Sequence, residues 1–171
     1  MEKGFVHVYT GNGRGKTTAM LGLALRALGA GLRVYIGQFI KNGEFNEVKT
    51  IKKYLPGIVL EQYGKGSFLS AVTPEDMTAG EYGLKRAAEV MLSGEYDVVM
   101  LDEINLAAFY GLISFGGVLD LINKKPENIE LILTGRYAAK EIVEAADLVS
   151  EIKNIKHYYS KGVTARDGIE K

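Results

Sequence analysis

A three-layer α/β fold, with a mostly parallel sheet of about six strands and helices on both faces, is what this sequence predicts. Two observations carry the prediction. Apolar, β-rich runs alternate with segments whose apolar residues recur at helical spacing, and the alternation continues to Ile152. A glycine-rich turn also stands between the first such run and the first helical segment.

Phe5 to Tyr9 reads as a buried first strand, and the helix after the turn carries Met20, Leu21, Ala24, Leu25 and Leu28 along one face. Gly29 and Gly31 end that helix, as residues tolerant of left-handed backbone commonly do. Arg33 to Phe39 is a second strand, and Val48, Ile51 and Leu55 mark a helix stopped by Pro56-Gly57. Ile58-Val59-Leu60 is a short third strand, and Tyr63 to Val72 a loop. Thr73-Pro74-Glu75-Asp76 supplies a cap, a first-turn proline and early acids, so a helix follows, with Leu84, Ala87, Ala88 and Met91 as its stripe. Asp97 to Leu101 is a fourth strand running into Asp102-Glu103. Val118, Leu119 and Ile122 mark a helix, Ile129 to Leu133 a fifth strand ending in Thr134-Gly135-Arg136, and Ile142, Val143 and Ala146 a short helix. Leu148 to Ile152 is a sixth strand, and Lys156 to Lys171 a polar, irregular tail.

Composition narrows the function. A chain of 171 residues with 47% apolar and 25% charged side chains is expected to form one domain, residues 1–171, with a sizeable core. Twenty-one basic and twenty-one acidic residues cancel, which leaves no electrostatic case for nucleic acid. The absence of cysteine excludes disulfides, thiolate metal sites and a cysteine nucleophile, and two histidines, His7 and His157, exclude a histidine-rich metal centre. The start, Met1-Glu2-Lys3-Gly4, has no signal-peptide pattern, and no apolar run approaches membrane-spanning length. The expectation is a soluble cytoplasmic protein without a membrane partner.

The most informative stretch is Thr10-Gly11-Asn12-Gly13-Arg14-Gly15-Lys16-Thr17-Thr18, between the first strand and the first helix. Glycines let the backbone curl so that successive N–H groups converge on an anion, and the helix adds its positive end. Lys16 brings a mobile charge, and the Thr17 hydroxyl is placed for magnesium. This is a phosphate-binding loop, and it makes the expected fold P-loop NTPase-like. The general pattern wants glycine where Thr10 stands, but the dinucleotide pattern G-x-G-x-x-G fits worse.

In a parallel sheet, right-handed crossovers bring the loops after the strands to one edge, where ligands bind. This gathers the glycine loop, Gln38 to Lys41, the loop holding Phe68, Asp102-Glu103 and Arg136. Asp102-Glu103 is a carboxylate pair for the metal ion, against the plainer reading of a helix cap. Arg136 is a candidate phosphate clamp, against a surface arginine in a turn, and Arg26 faces nucleotide or solvent. His7 is most simply a packed strand residue. No side chain stands out as general base or nucleophile. Either an unrecognised acid helps water or a hydroxyl attack phosphorus, or the substrate brings its own strong nucleophile.

Several stretches together resemble the P-loop corrinoid adenosyltransferase family. They are the glycine loop, Leu23 to Ala27, Gln38 to Gly43, Leu101-Asp102-Glu103-Ile104-Asn105, Leu133 to Arg136, Glu144 to Val149, Lys156 to Tyr159 and Gly162 to Glu170. The resemblance spans almost the whole chain in one order, and threonine at position 10 is usual within it. It implies that the Co(I) centre of a reduced corrinoid attacks the 5′-carbon of ATP and expels triphosphate, in adenosylcobalamin synthesis or salvage. Reduced cobalt needs no general base, which agrees with the missing one. The resemblance further implies ATP held by Gly11, Asn12, Gly13, Arg14, Gly15, Lys16, Thr17 and Thr18, with Arg26 and Arg136 near it. Mg2+, or Mn2+ in its place, falls to Thr17, Glu103 and Asp102. It implies a homodimer and a flavoprotein as reductant. One departure bears on the corrinoid: better-known members carry a tryptophan in the covering loop, this chain has none, and Phe68 is the aromatic left there. The rival classes are a small-molecule kinase or NTPase, and a non-catalytic protein that binds nucleotide and corrinoid.

Overall fold

The computed structural model describes residues 2–66 and 72–170. Six strands, β1 (Val6–Thr10), β2 (Val34–Phe39), β3 (Ile58–Tyr63), β4 (Val98–Asp102), β5 (Glu130–Thr134) and β6 (Leu148–Glu151), form one sheet in the order β3-β2-β4-β5-β1-β6. Every pairing is parallel, with Val8 opposite Leu133 and Val149, and Ile36 opposite Leu60 and Met100. The helices are α1 (Lys16–Gly29), α2 (Asn46–Tyr54), α3 (Pro74–Leu92), α4 (Ile104–Phe109), α5 (Phe115–Asn123) and α6 (Lys140–Ala145), and a 3-10 turn spans Tyr158–Lys161.

Side-chain alternation along the strands builds two cores, one on each face of the sheet. Val34, Ile36, Val98, Met100 and Ile132 meet Met20, Ala24 and Ala27 of α1 and Ile51 of α2. Val6, Val8, Tyr35, Phe39, Val99, Leu101, Leu131 and Leu133 meet Ala87 and Met91 of α3, Ala107 of α4, Leu121 of α5 and Ile142 of α6. Both faces are covered, which is why the central strands are apolar at nearly every position. Each fully buried Leu, Ile or Met adds about 1.5–3 kcal/mol of transfer free energy.

The predicted three-layer class is the one observed, and the differences are local. β3 runs on from Leu60 through Glu61, Gln62 and Tyr63, because Gly37, Gln38 and Phe39 continue to pair with them. Those side chains do not read as apolar, so the spacing hides that extension. Helix α4 follows β4 directly and buries Ile104, Asn105, Ala107 and Ala108. Its six residues are too few for a periodic signal. Gly31 takes the left-handed backbone beyond α1, with φ of 78°, while Gly29 is still helical. The tail is not loose: it turns at Tyr158–Lys161 and lies against the start of α1. The corrinoid role expected of Phe68 falls outside the described residues.

Candidate nucleotide site

The carboxyl ends of β1, β2, β4 and β5 meet at one edge of the sheet, at a cleft of about 900 Å³. Its floor is the loop from Asn12 to Thr18, Lys41 and Glu103 stand on one side with Arg136, and His157, Tyr159 and Glu170 come from the tail. Asn12, Gly13, Arg14, Gly15, Lys16, Thr17, Thr18, Glu103 and Arg136 are thus brought together as expected. Arg26 is exposed in the last turn of α1, away from the cleft lining. Gly11 and Asp102 do not line the cleft and reach it through its lining residues, Gly11 accepting from the Lys16 ammonium and Asp102 from the Thr17 hydroxyl.

At two points the loop takes positive-φ backbone that residues with a side chain rarely adopt. Gly11 has φ of 97°, and a β-carbon there would lie 2.4 Å from the Ile152 carbonyl oxygen. Gly15 has φ of 120° and sits at the N-terminus of α1, which has no side-chain cap. The first-turn N–H groups of α1 are therefore left for a ligand. Thr10 belongs to β1, opposite Glu151, and has no left-handed backbone, so the glycine of the general pattern is not required there. Lys16 is 6% exposed and donates to the Gly11 and Gly13 carbonyls at 2.8 Å each. Burial lowers its ammonium's pKa, Arg136 adds to that, and Glu103 and Asp102 act against it.

Asp102, at the end of β4, is fully buried and receives four side-chain donors. Thr17 Oγ1 donates to it at 2.9 Å, Thr134 Oγ1 at 2.7 Å, Lys41 Nζ at 2.7 Å and Gln38 Nε2 at 3.3 Å. Gln62 in turn donates to Gln38 Oε1 at 3.0 Å and fixes its amide. Burial alone would push the Lys41 ammonium down, but the Asp102 carboxylate and its hydrogen bond outweigh it, and the net shift is upward. Glu103 differs in every respect. It caps α4 in the left-handed conformation, φ 59° and ψ 18°, yet its side chain makes no cap hydrogen bond. The Thr134 hydroxyl accepts the Glu103 N–H at 3.0 Å and holds that backbone. Its Oε2 is buried and unpartnered among the described residues. Burial, with the Asp102 charge added, raises the Glu103 pKa despite Lys41, Lys16 and Arg136. The plainer reading of this pair as a helix cap is thus met by the Glu103 backbone alone: Glu103 holds the N-cap position of α4, and its carboxylate makes no cap hydrogen bond.

On the far side, the tail is tied to the loop. Arg14 donates to the Ile169 carbonyl and pairs with Glu170 at 3.8 Å, Asn12 Oδ1 accepts the Asn154 N–H at 3.0 Å, and Asn46 donates to Asp167 at 2.7 Å. Arg166 and Tyr158 bring the Glu170 carboxyl down to about 2. Gln38, Lys41 and Thr134 carry no assigned role in the sequence reading, although two polar residues around an apolar strand end are a signal for one. Arg14 is read there as a phosphate ligand, and its guanidinium engages the tail.

A glycine loop feeding a bare helix N-terminus, with its threonine tied to a carboxylate two strands away, defines a P-loop nucleotide-binding protein. Comparison with known proteins narrows the class. The family model described as ATP:corrinoid adenosyltransferase BtuR/CobO/CobP matches residues 2–170, and the chain belongs to that family. It is 36% identical over 174 residues to the corrinoid adenosyltransferase of Escherichia coli (strain K12), covering 99% of this chain and 86% of that protein. It is 34% identical over 177 residues to the corrinoid adenosyltransferase CobA of Salmonella typhimurium, covering 99% and 86%, and 32% identical over 171 residues to the Pseudomonas aeruginosa enzyme, covering 99% and 84%. The chain is accordingly an enzyme of ATP-dependent adenosyl transfer to a corrinoid. Nothing in the comparisons favours a kinase or a non-catalytic binder. No helix among the described residues is long and apolar enough to cross a membrane.

Proposed function

We propose that the cleft aligns ATP so that its ribose 5′-carbon, rather than a phosphorus atom, meets the Co(I) centre of the corrinoid. Cobalt's electron pair forms the Co–C bond, the C5′–O bond breaks, and its pair leaves with triphosphate. The protein's tasks are alignment and stabilisation of charge on the leaving group. Asn12 to Thr18 grip the triphosphate through backbone N–H groups, with the Lys16 ammonium and the α1 N-terminus opposing its charge. Arg136, at the cleft wall, adds a second cation. Arg26 lies at the other end of α1, and its place near the nucleotide draws no support from this geometry.

The observation that carries the residue assignment is the division of labour between the two carboxylates. Asp102 already has four donors and serves to orient the Thr17 hydroxyl, while Glu103 presents a buried oxygen with no partner among the described residues. Thr17 and Glu103 therefore fit a divalent cation, magnesium or manganese, as direct ligands, with Asp102 behind them. No group of three or more acidic or histidine side chains among the described residues forms a cage, so phosphate oxygens and water would complete the set. When bound, the ion supplies positive charge to the triphosphate.

The reading also expects a homodimer in the cytoplasm and a reductant, such as a flavoprotein, able to deliver Co(I). Incubation with ATP, magnesium and chemically reduced cobalamin is the direct test. Adenosylcobalamin with inorganic triphosphate is the expected product pair. Diphosphate, a phosphorylated acceptor, or binding without turnover would each defeat the reading.

A further inference from the structure

The lysine after β2 is aimed at the centre of the site by a strained turn. Ile40 has φ of 66°, a left-handed conformation that a β-branched residue adopts only under constraint. The Lys41 N–H donates back to the Phe39 carbonyl at 2.6 Å, closing a three-residue turn. Two contacts from the end of β3 and the residue after it hold the turn in place. The Ile40 N–H donates to the Tyr63 carbonyl at 3.2 Å, and Gly64 packs so closely that a β-carbon there would lie 2.1 Å from the Ile40 carbonyl oxygen. Such a conformation is strained and persists where surrounding structure over-determines it, commonly at functional sites.

The strain delivers the Lys41 ammonium to the two groups that organise the metal site. Its Nζ is 2.7 Å from Asp102 Oδ2 and 3.3 Å from Thr17 Oγ1. A hydroxyl has two lone pairs and one proton, and Thr17 gives its proton to Asp102. The lone pairs left for a metal ion are thus the ones Lys41 addresses. An ammonium and a divalent cation cannot both take the Thr17 oxygen at close range without severe like-charge repulsion.

We propose that Lys41 is an internal counter-cation that competes with the divalent metal for Thr17 and Asp102, and that, once displaced, it positions the leaving triphosphate. This rests on the nucleotide reading above for the second half only; the competition concerns the chain and the metal alone. Linkage makes it reciprocal: metal binding must loosen Lys41, and removing the ammonium must tighten metal binding.

Mn2+ binding to the chain without nucleotide, followed by electron paramagnetic resonance, tests the competition in wild type, Lys41→Met and Lys41→Arg. Lys41→Met is expected to bind Mn2+ about tenfold more tightly, with Lys41→Arg close to wild type. In turnover, Lys41→Met should lose more in kcat than in KM for ATP, and Lys41→Arg should recover part of the loss. Lysine footprinting of the wild-type chain, which needs no variant, should show Lys41 more reactive when Mn2+ is added. Unchanged or weaker Mn2+ affinity in Lys41→Met, binding undetectable in both, or a Lys41 that Mn2+ leaves equally protected overturns the proposal. A chain that binds Mn2+ as predicted but forms no adenosylcobalamin even as wild type would instead defeat the functional reading and leave the competition standing.

Discussion

Thr134 is the hinge between the two carboxylates, and its replacement by valine isolates what one hydroxyl does. The side chain is fully buried at the end of β5, donates to Asp102 at 2.7 Å and accepts the Glu103 N–H at 3.0 Å. Valine preserves the β-branched shape and strand preference, so no large cavity opens. It deletes a hydrogen bond to a charged acceptor, worth about 1.5–3 kcal/mol, and orphans a backbone N–H, costing about 1–3 kcal/mol. Asp102 keeps Thr17, Gln38 and Lys41 as donors, which puts the first loss at the lower end. The expected total is about 3 kcal/mol. In urea, with a slope of about 2 kcal/mol/M, that lowers the unfolding midpoint by about 1.5 M. Thr134→Ser keeps the hydroxyl and loses a methyl, and should cost about 1 kcal/mol. A midpoint for Thr134→Val within about 0.25 M of wild type, or equal losses for serine and valine, would refute the role assigned to the hydroxyl.

Lys16→Ala removes the ammonium above the loop carbonyls and should weaken ATP binding about 10–100-fold by calorimetry, with turnover falling at least as far. Glu103→Gln should abolish most metal-dependent turnover while stabilising the fold at neutral pH. The sign follows from the direction of the shift: a carboxyl whose folded pKa is raised holds its proton longer folded than unfolded, so stability drops as pH rises through that interval. The gain from glutamine should accordingly be full above the folded pKa and vanish below the ordinary glutamate range, as pH-dependent melting would show. Arg14→Ala cuts the tie to Ile169 and Glu170, and hydrogen exchange across residues 158–170 should speed up. The exposed pair is worth no more than about 1 kcal/mol, so global stability should hardly move.

The alternation of strands and helices was readable because both faces of the sheet are covered, which leaves apolar runs of the right length. The loop was readable because anion binding by backbone N–H groups demands glycine at fixed places such as Gly11 and Gly15. What escaped depends on contacts between distant residues. Lys41 is an ordinary lysine in sequence, and only the turn at Ile40 and the burial of Asp102, 61 positions away, reveal what it touches. The polar tail gives no periodic signal, yet Ile169 reaches back 155 positions to Arg14. Asp102 and Glu103 are adjacent and alike in sequence; the left-handed backbone at Glu103 sends their side chains to different tasks.

The strand order fixes when this enzyme can first exist during its own synthesis. β1 leaves the ribosome well before its two neighbours, β5 and β6, whose pairings with it, Val6 with Leu131 and His7 with Leu148, bridge 125 and 141 positions. Until those strands emerge, both edges of β1 stay open to any other extended segment, and the glycine loop has no frame to curl against. A nascent chain truncated before β5 should therefore be captured by chaperones and bind no nucleotide, and competence should arrive only once β5 and β6 have emerged rather than accumulate with length.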